Sequence, residues 1–472
     1  MAKTLSKTGI GTSSTIEAWH VTQSIDALTG THAYSLTPSG SITHTGQLTI
    51  NSSGTSTTTI NNPTTVNNTL NITGDATVGF GDTQPIEFST RGGENIAIGT
   101  DAFEAGTSNS GNVGVGYEAF HDTTSNGNTG VGYRVGYYNV LGNTNTHMGY
   151  QAGYYLGYNQ TPSNAASGSA NTAIGYRAAF YPQSMLYSNA MGYKALHGGG
   201  SFVTASKVQY AIGIGGFALY NATSGSKTIV GTTAIGYSAG YSTSEMAYSV
   251  MIGHQAAKDH ATGGTRNIFI GYQAANGLTS GQHNCHIGAS TTPGTSGASN
   301  EIALGYGAEG NGSNTITLGN SSISTLHCNT QTILALSDSR VKKNITPSPL
   351  GLEFINSLNP VRYQKINPAE WPSEILEDRF KEQTMVDPAT NKTTIDPPEK
   401  VGPTDNKFYD GLIAQEVSAS LSNLGLESTI HNTNNKGIQS IGYTTLVMPL
   451  IKAVQELSAK VTALETQISG SL

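Results

Sequence analysis

Short apolar stretches that end in glycine recur along the middle of the chain. Well-formed copies begin at Asn95, Asn112, Asn128, Asn171 and Asn267, and most combine Ile or Val with a small residue. The closing glycine of this repeat motif falls at residues 99, 116, 132, 149, 175, 192, 213, 236, 253, 271, 288, 305 and 319, mostly about 17 residues apart. A short period with occasional longer steps predicts a solenoid of thirteen coils, some with inserted loops.

Each copy is too brief and too rich in glycine for a helix. We therefore expect one short β-strand per coil, with backbone hydrogen bonds between stacked coils. The glycine is expected to permit a positive φ or a close approach between coils. Small residues three places further on are expected to pack the corner of the coil: Ala102, Ala119, Ala152, Ala178, Ala239, Ala256 and Ala274. The predicted fold is mainly β.

Tyrosine follows the glycine in many coils: Tyr117, Tyr133, Tyr150, Tyr176, Tyr193, Tyr237, Tyr272 and Tyr306. Such a row could pack against a neighbouring subunit or stack on the rings of a glycan, and packing is the preferred interpretation. Receptor contacts are expected instead on the longest insertions, residues 154–170, 196–209 and 220–233, because binding tends to lie on loops of a rigid scaffold. None of these insertions carries a paired-carboxylate motif for cleaving glycans.

The chain ends in a different apolar pattern. Eight residues are spaced alternately by four and three: Tyr443, Val447, Leu450, Val454, Leu457, Val461, Leu464 and Ile468. This heptad spacing predicts a coiled coil over residues 443–470, with a strand number that the pattern does not fix. Pro449 is tolerated only in the first turn of that helix.

The two remaining regions are less regular. Residues 41–82 alternate Ile, Leu and Val with Thr, Ser and Asn, which predicts a β-structured stalk, although disorder is the alternative for so polar a segment. Residues 371–403 are rich in proline and charge and are expected to form a long surface loop.

Composition divides the chain at Ser337. Before it, the chain carries 10 Lys and Arg and 14 Asp and Glu, whereas the much shorter part from Ser337 to the end carries 13 and 16. The net charge of -7 gives no basic patch, so nucleic-acid binding lacks electrostatic support. Cys285 and Cys328 lie outside any disulfide or zinc spacing and are expected to be buried free thiols, and we expect no metal or cofactor.

The sequence also bears on compartment. No stretch approaches the 18 apolar residues of a membrane span, and the N-terminus lacks the apolar region of a signal peptide. We therefore expect neither membrane insertion nor secretion by a signal peptide. We expect the protein to be synthesised in a cytoplasm.

The charged C-terminal part opens with Ser-Asp-Ser-Arg-Val-Lys at residues 337–342. Lys-Asn-Ile follows directly, Leu-Asn-Pro-Val-Arg-Tyr stands at 358–363, Gly-Leu-Ile-Ala-Gln-Glu-Val at 411–417, and the heptads come last. In this order the landmarks resemble the intramolecular chaperone (peptidase S74) domain that ends many phage tail fibres and tailspikes. A Ser and a Lys five residues apart lie on different faces of a strand or helix, so a turn or a neighbouring chain must bring them together.

This resemblance implies a single self-cleavage per chain at the Leu336-Ser337 bond. Ser337 would be the nucleophile, and Lys342 the general base and then the proton donor to the leaving nitrogen. Burial of the lysine, together with the nearby charges of Arg340 and Lys343, would lower its pKa far enough for that role. Asp338 and Arg340 also match the motif, either in catalysis or as a salt bridge that holds the turn.

The repeats resemble the left-handed parallel β-roll of YadA-type trimeric adhesin heads. Together the two resemblances imply a homotrimeric virion tail fibre with four regions: an attachment segment for other tail or baseplate proteins (1–45), a stalk (46–94), a β-roll shaft that contacts a host glycan or protein receptor (95–336) and an α+β chaperone with its coiled coil (337–472). A glycan-degrading tailspike with an active site between subunits and a bacterial trimeric adhesin are the alternatives.

Overall fold

The computed structural model describes residues 94–104, 109–158, 168–182, 184–198, 207–221, 228–243, 245–329, 333–386, 393–399, 406–434 and 436–471. Earlier in the chain it describes only short strands, Lys3–Thr4 paired with Tyr34–Ser35 and Ala76–Gly79 paired with Pro85–Phe88. The chain divides into two compact units, residues 1–71 and 72–472. Apart from these strands, the predicted attachment segment and stalk lie outside the described residues.

Thirteen parallel three-residue strands form one continuous sheet, called here the main sheet, in which each coil pairs with the next. The middle residue faces inward and is buried in all but the last strand, because successive residues of a strand face opposite sides. The strands are Ile96–Ile98, Val113–Val115, Thr129–Val131, Thr146–Met148, Thr172–Ile174, Asn189–Met191, Ile212–Ile214, Thr233–Ile235, Val250–Ile252, Ile268–Ile270, Cys285–Ile287, Ile302–Leu304 and Ile316–Leu318. The predicted mainly β solenoid is confirmed.

The closing glycines stack on one another with almost no space between coils. Gly116 has a φ of +138°, and a Cβ there would lie 2.2 Å from the carbonyl oxygen of Gly132. The assignment of Gly213 to this position is wrong. Gly215, with a φ of +118°, lies between Gly192 and Gly236 in the stack, whereas Gly213 pairs with Ala190 at the inward position of its strand. The predicted corner alanines are all buried.

The middle coils, some of ordinary length and some with insertions, contribute a second parallel sheet, called here the side sheet. Its strands are Ser184–Leu186, Lys207–Gln209, Thr228–Val230, Met246–Ala247 and Gly264–Thr265. Two of them lie inside the insertions that were predicted to be receptor loops. Large parts of those three insertions, residues 159–167, 199–206 and 222–227, lie outside the described residues, so receptor binding there stays a prediction.

A ladder of buried polar side chains runs up the inside of the solenoid. At the residue that opens the repeat motif, each side-chain oxygen accepts a hydrogen bond from the backbone N–H of the next coil, at 2.8–3.0 Å, through Asn95, Asn112, Asn128, Asn145, Asn171 and Ser188 and again from Ser249 through Asn267 to Asn284. Glu301 continues it, and its carboxylate accepts the Gly312 N–H at 2.6 Å. Buried N–H groups thereby keep their partners.

The two cysteines differ from expectation. Both are free thiols, but Cys328 is exposed and Cys285 is only partly buried. Burial still raises the pKa of the Cys285 thiol. The prediction that both would be buried is therefore wrong, since Cys328 lies beyond the last strand of the main sheet.

Beyond the shaft the chain forms a small α+β domain. It contains helices α1 (Leu352–Ser357), α2 (Ala414–Asn423) and α3 (Val447–Ser469), and strand pairs Val361–Gln364 with Phe408–Gly411, Gln383–Val386 with Thr393–Asp396, and His431–Thr433 with Gln439–Ile441. Its core contains Leu350, Phe354, Val417, Leu421, Ile430 and Leu446. The predicted α+β region and C-terminal helix are confirmed.

Helix α3 presents two different apolar faces. Near its start, Pro449 and Ala453 are buried, and the Glu456 carboxylate accepts the Leu352 N–H of α1 at 2.8 Å. The heptad residues from Val447 to Ile468 form a separate stripe that is exposed along its whole length in the single chain. Pro449 lies in the first turn, as its missing N–H requires.

Candidate functional site

A short turn brings Ser337 and Lys342 together. Residues Ser339–Val341 form one turn of 3-10 helix, and Asp338 caps its start by accepting the Arg340 N–H at 2.9 Å. The turn reverses the chain, so that the Lys342 ammonium donates a hydrogen bond to the Ser337 hydroxyl at 2.7 Å. The two side chains thus meet within one chain, through a local turn.

Asp338 and Arg340 form the ion pair that was one of the two interpretations of these residues. Arg340 Nη2 lies 2.6 Å from Asp338 Oδ2, and Arg340 Nε lies 3.0 Å from Asp338 Oδ1. The hydrogen bond from the Arg340 side chain, followed by that from its backbone N–H, lowers the pKa of Asp338. The carboxylate therefore stays charged and caps the start of the turn that positions Lys342.

The site is open to water in the single chain. Leu336, on the acyl side of the predicted cleavage point, is 80% exposed. Ser337 and all residues from Ser339 to Pro349 are exposed as well. Apolar side chains close to Ser337 and Lys342 are exposed too, including Leu334, Val341 and Ile345. This stretch therefore has apolar surface that nothing in its own chain covers.

The motifs at residues 358–363 and 411–417 lie together in the domain that follows Ser337 and Lys342. Val361 pairs with Gly411 across two antiparallel strands, and the Asn359 side chain donates to Glu416 at 3.4 Å. Val417 then enters the core. Two stretches that are far apart in the sequence thereby pack together at the start of helix α2.

Sequence reasoning missed a polar contact region between this domain and the end of the shaft. The Arg379 side chain is only 4% exposed and contacts Glu377 at 2.6 Å and Glu399 at 2.9 Å. It also donates to the hydroxyls of Ser321 and Ser322 at 3.0 Å each. The prediction of a long surface loop at 371–403 is wrong for its described residues. They form a 3-10 turn and a hairpin, and the turn residues pack on the shaft.

Further polar contacts extend this region. Ser321 N–H donates to Glu377 at 3.0 Å, Asn434 donates to Asn311 at 3.1 Å, and Lys436 pairs with Glu309. The available sequence signal was a cluster of charges after Trp371. Nothing in that cluster identified its partners on the shaft, because they lie in a distant part of the sequence.

Within the described ranges, no three His, Cys, Asp or Glu side chains come together as ligands for a metal ion. None of the described helices combines the length and apolar character that a membrane crossing requires.

Comparison with known proteins gives one match. Residues 337–383 match the Peptidase_S74 family, described as the chaperone of endosialidase. The match begins at Ser337 and ends before the motif at residues 411–417. No curated protein and no solved structure shows significant similarity to the chain. The chain therefore carries a chaperone-of-endosialidase (peptidase S74) domain behind a β-solenoid, an arrangement consistent with a tail fibre or tailspike that has a C-terminal chaperone.

Proposed function

We propose that the chain is a homotrimeric phage tail-fibre protein that attaches the virion to its host, and whose C-terminal domain cuts the Leu336-Ser337 bond once. The observation that carries the cleavage proposal is the 2.7 Å contact between Lys342 Nζ and Ser337 Oγ, at the residue where the family match begins. The proposed roles are nucleophile for Ser337 and general base for Lys342.

The reaction can be written from these atoms. Neutral Lys342 takes the proton of the Ser337 hydroxyl as the oxygen attacks the carbonyl carbon of Leu336. The C–N bond breaks, the Ser337 nitrogen receives the proton from Lys342, and the acyl group is left as an ester on the Ser337 oxygen. Water then hydrolyses the ester, which leaves a carboxylate on Leu336 and a free amine and hydroxyl on Ser337.

This chemistry requires an environment that the single chain does not provide. An amine is kept neutral by removal from water and by neighbouring positive charge. Lys343 supplies such a charge, but the charge of Arg340 is offset by its ion pair with Asp338. We propose that neighbouring subunits cover the exposed apolar residues around the dyad. Cleavage would then follow trimer assembly and report that it has occurred.

The exposed stripe on α3 supports the trimer. Its seven heptad residues, from Val447 to Ile468, are each between 45% and 64% exposed. A helix with such a stripe gains its main stabilisation by packing against copies of itself. Three copies are proposed because of the family resemblance.

The proposed division of labour has a physical reason. A long parallel solenoid has unpaired strand edges until its coils stack, and it folds slowly. A helical domain that assembles first would fix the register of three chains. Cleavage afterwards would remove the refolding route and leave the shaft kinetically trapped.

The test is the intact mass of the purified protein, compared with the Ser337→Ala and Lys342→Ala variants. The wild type should yield a fragment whose mass is that of the chain from Ser337 to Leu472, with a second product that ends at Leu336. Both variants should stay whole, whereas Lys343→Ala, which removes a neighbouring positive charge but neither the nucleophile nor the base, should still be cut, at a lower rate. A wild type that assembles as a trimer and remains uncut would refute the cleavage.

A further inference from the structure

The net charge of -7 conceals a long stretch without acidic residues in the middle of the shaft. Residues 123–244 contain no Asp and no Glu, but they contain Arg134, Arg177, Lys194, Lys207 and Lys227. The same stretch holds 15 of the 23 tyrosines. The formal charge of this stretch is therefore +5, opposite in sign to that of the whole chain. This part of the shaft combines positive charge with aromatic rings.

The structure places two of these cations side by side on a row of tyrosines. The rings of Tyr150, Tyr176 and Tyr193 stack on successive coils with centroids 5.2 Å apart, and they are 38–46% exposed. Arg177 and Lys194 directly follow two of these tyrosines and occupy the same position on adjacent coils. The Arg177 guanidinium lies 5.4 Å from the Tyr176 ring centre, and Lys194 Nζ lies 5.3 Å from that of Tyr193.

No acidic group of the described chain forms an ion pair with Arg177 or Lys194. Arg177 donates instead to the neutral Gln151 side chain at 2.8 Å, and the contacts of the Lys194 ammonium are with aromatic rings. Arg134 is the contrast, because it occupies the same coil position and pairs with Glu118 at 2.5 Å. Two like charges on coils about 4.8 Å apart repel each other, and an anion bound between them would offset that repulsion.

We propose that this stripe, defined by Tyr176, Arg177, Tyr193 and Lys194, binds a carboxylate-bearing glycan. Because the ring faces stack on one another, the exposed ring edges and hydroxyls of the tyrosines would line the sugar, and the hydroxyls would hydrogen-bond to it. The two cations would bind the sugar carboxylate. The proposal rests on the proposed role in host attachment and names the class of receptor. A nucleic acid is less well matched, because five cations over so long a stretch fall short of the dense phosphate contacts that it needs.

Titration calorimetry measures binding to the protein purified after expression of the full chain. The probes are oligogalacturonides and sialic acid oligomers, and maltodextrins of matched length are the neutral control. We expect binding to the acidic probes alone, weaker at higher salt. The double variant Arg177→Gln/Lys194→Gln should lose about tenfold or more in affinity. Arg134→Gln, at the same position on its own coil, should bind as the wild type does.

The single variant Lys194→Gln controls for misfolding, because the Lys194 ammonium makes no hydrogen bond to the described protein. It should also bind the acidic probes more weakly than the wild type does. Equal binding of maltodextrin, unchanged binding by the double variant, tighter binding of single-stranded DNA, or no binding of either acidic probe would each overturn the proposal. The intact-mass measurement is independent of these outcomes, so a shaft that is cut but does not bind would refute this proposal and leave the cleavage proposal standing.

A separate set of contacts carries a second inference, which concerns the fragment released by the proposed cleavage. A cut at Leu336-Ser337 would leave Ser321, Ser322 and Glu309 on the shaft and Arg379 and Lys436 on the fragment. We propose that the fragment stays docked on the shaft through these contacts. Arg379 is the central residue, because its buried guanidinium makes hydrogen bonds to both sides of the cut.

The shaft is shaped for this contact. Gly307 has a φ of +58°, and a Cβ there would lie 2.9 Å from Arg379 Cδ, so the glycine leaves room for the arginine. The Tyr306 hydroxyl donates to Glu399 at 3.2 Å on the same side. Lys436 and Glu309 form an ion pair across the cut, and both side chains are partly exposed, so the docked state should weaken as salt rises.

Size-exclusion chromatography of the cut wild type at low and high salt tests this inference, with denaturing mass analysis of each peak to establish that cleavage occurred. The fragment should elute with the shaft at low salt and separate at high salt. Arg379→Ala should release it at low salt, whereas Lys381→Ala, which loses only a pair with Asp378 inside the fragment, should not. A cut wild type that separates at low salt, or an Arg379→Ala fragment that stays docked, would contradict the inference.

Discussion

The buried ladder at the opening residue of the repeat motif makes a quantitative prediction at Asn128. Its side-chain oxygen accepts the Asn145 N–H at 2.9 Å, and its amide donates to Ser125 Oγ at 3.1 Å. Asn128→Ala would leave the Asn145 N–H buried without an acceptor. A buried polar group that loses its partner costs about 1–3 kcal/mol. The unfolding rate of the shaft should therefore rise by about 5- to 150-fold, if the ladder is broken in the transition state.

Two further variants separate the missing acceptor from the loss of side-chain volume. Asn126 lies two residues earlier, is exposed, and accepts the Ser110 N–H at 2.8 Å in a parallel role. Asn126→Ala should change the free energy of unfolding by no more than about 0.5 kcal/mol, because water replaces the acceptor. Asn128→Ser should recover part of the loss, since Ser188 accepts the Ala211 N–H at 3.0 Å at the equivalent position of its own coil.

The assay is the unfolding rate of the purified shaft at fixed guanidinium concentrations, followed by circular dichroism. Rates suit this shaft better than equilibrium values if it is kinetically trapped. Equal rates for Asn128→Ala and Asn126→Ala would refute the reasoning, because the buried ladder would then contribute no more than an exposed hydrogen bond. A serine variant that unfolds faster than the alanine variant would also contradict it.

Three other predictions follow from the structure. Gly215→Ala should prevent correct stacking, because its Cβ would lie 2.6 Å from the Gly236 carbonyl oxygen. Gly213→Ala should fold, because alanines occupy the paired positions on the neighbouring strands. The yield of cleaved, protease-resistant shaft measures the difference between the two variants. Burial lowers the pKa of His147 from 6.5 to about 3, so the stability that it contributes is present above pH 6.5 and is lost as the pH falls towards 3. His147→Leu should therefore slow acid unfolding at pH 4 relative to pH 8, and an unchanged ratio of rates would contradict this. Leu457→Lys should break the proposed trimer and stop cleavage, while Ala459→Lys, exposed but off the stripe, should do neither; light scattering and intact mass measure the two effects.

Much of the fold follows from periodic patterns. The spacing of the glycine motifs gave the number of coils, and the heptads gave the C-terminal helix, because both patterns repeat at the period of the structure that they form. The error at Gly213 has the same origin. Residues 212–216 contain three glycines, and only the stacking of coils distinguishes the inward position from the position with positive φ.

The sequence by itself determined the solenoid, the C-terminal helix and the S74 motif that begins at Ser337, since each depends on residues that are close together or regularly spaced. Only the tertiary structure decided that a local turn joins Ser337 to Lys342, that Arg379 contacts the shaft, and that Arg177 and Lys194 lie together without an acidic partner among the described residues. Most of these contacts join side chains across coils or between distant parts of the sequence, and each occurs once. A contact without a period leaves no pattern in one sequence, so its partners appear only when the chain is folded.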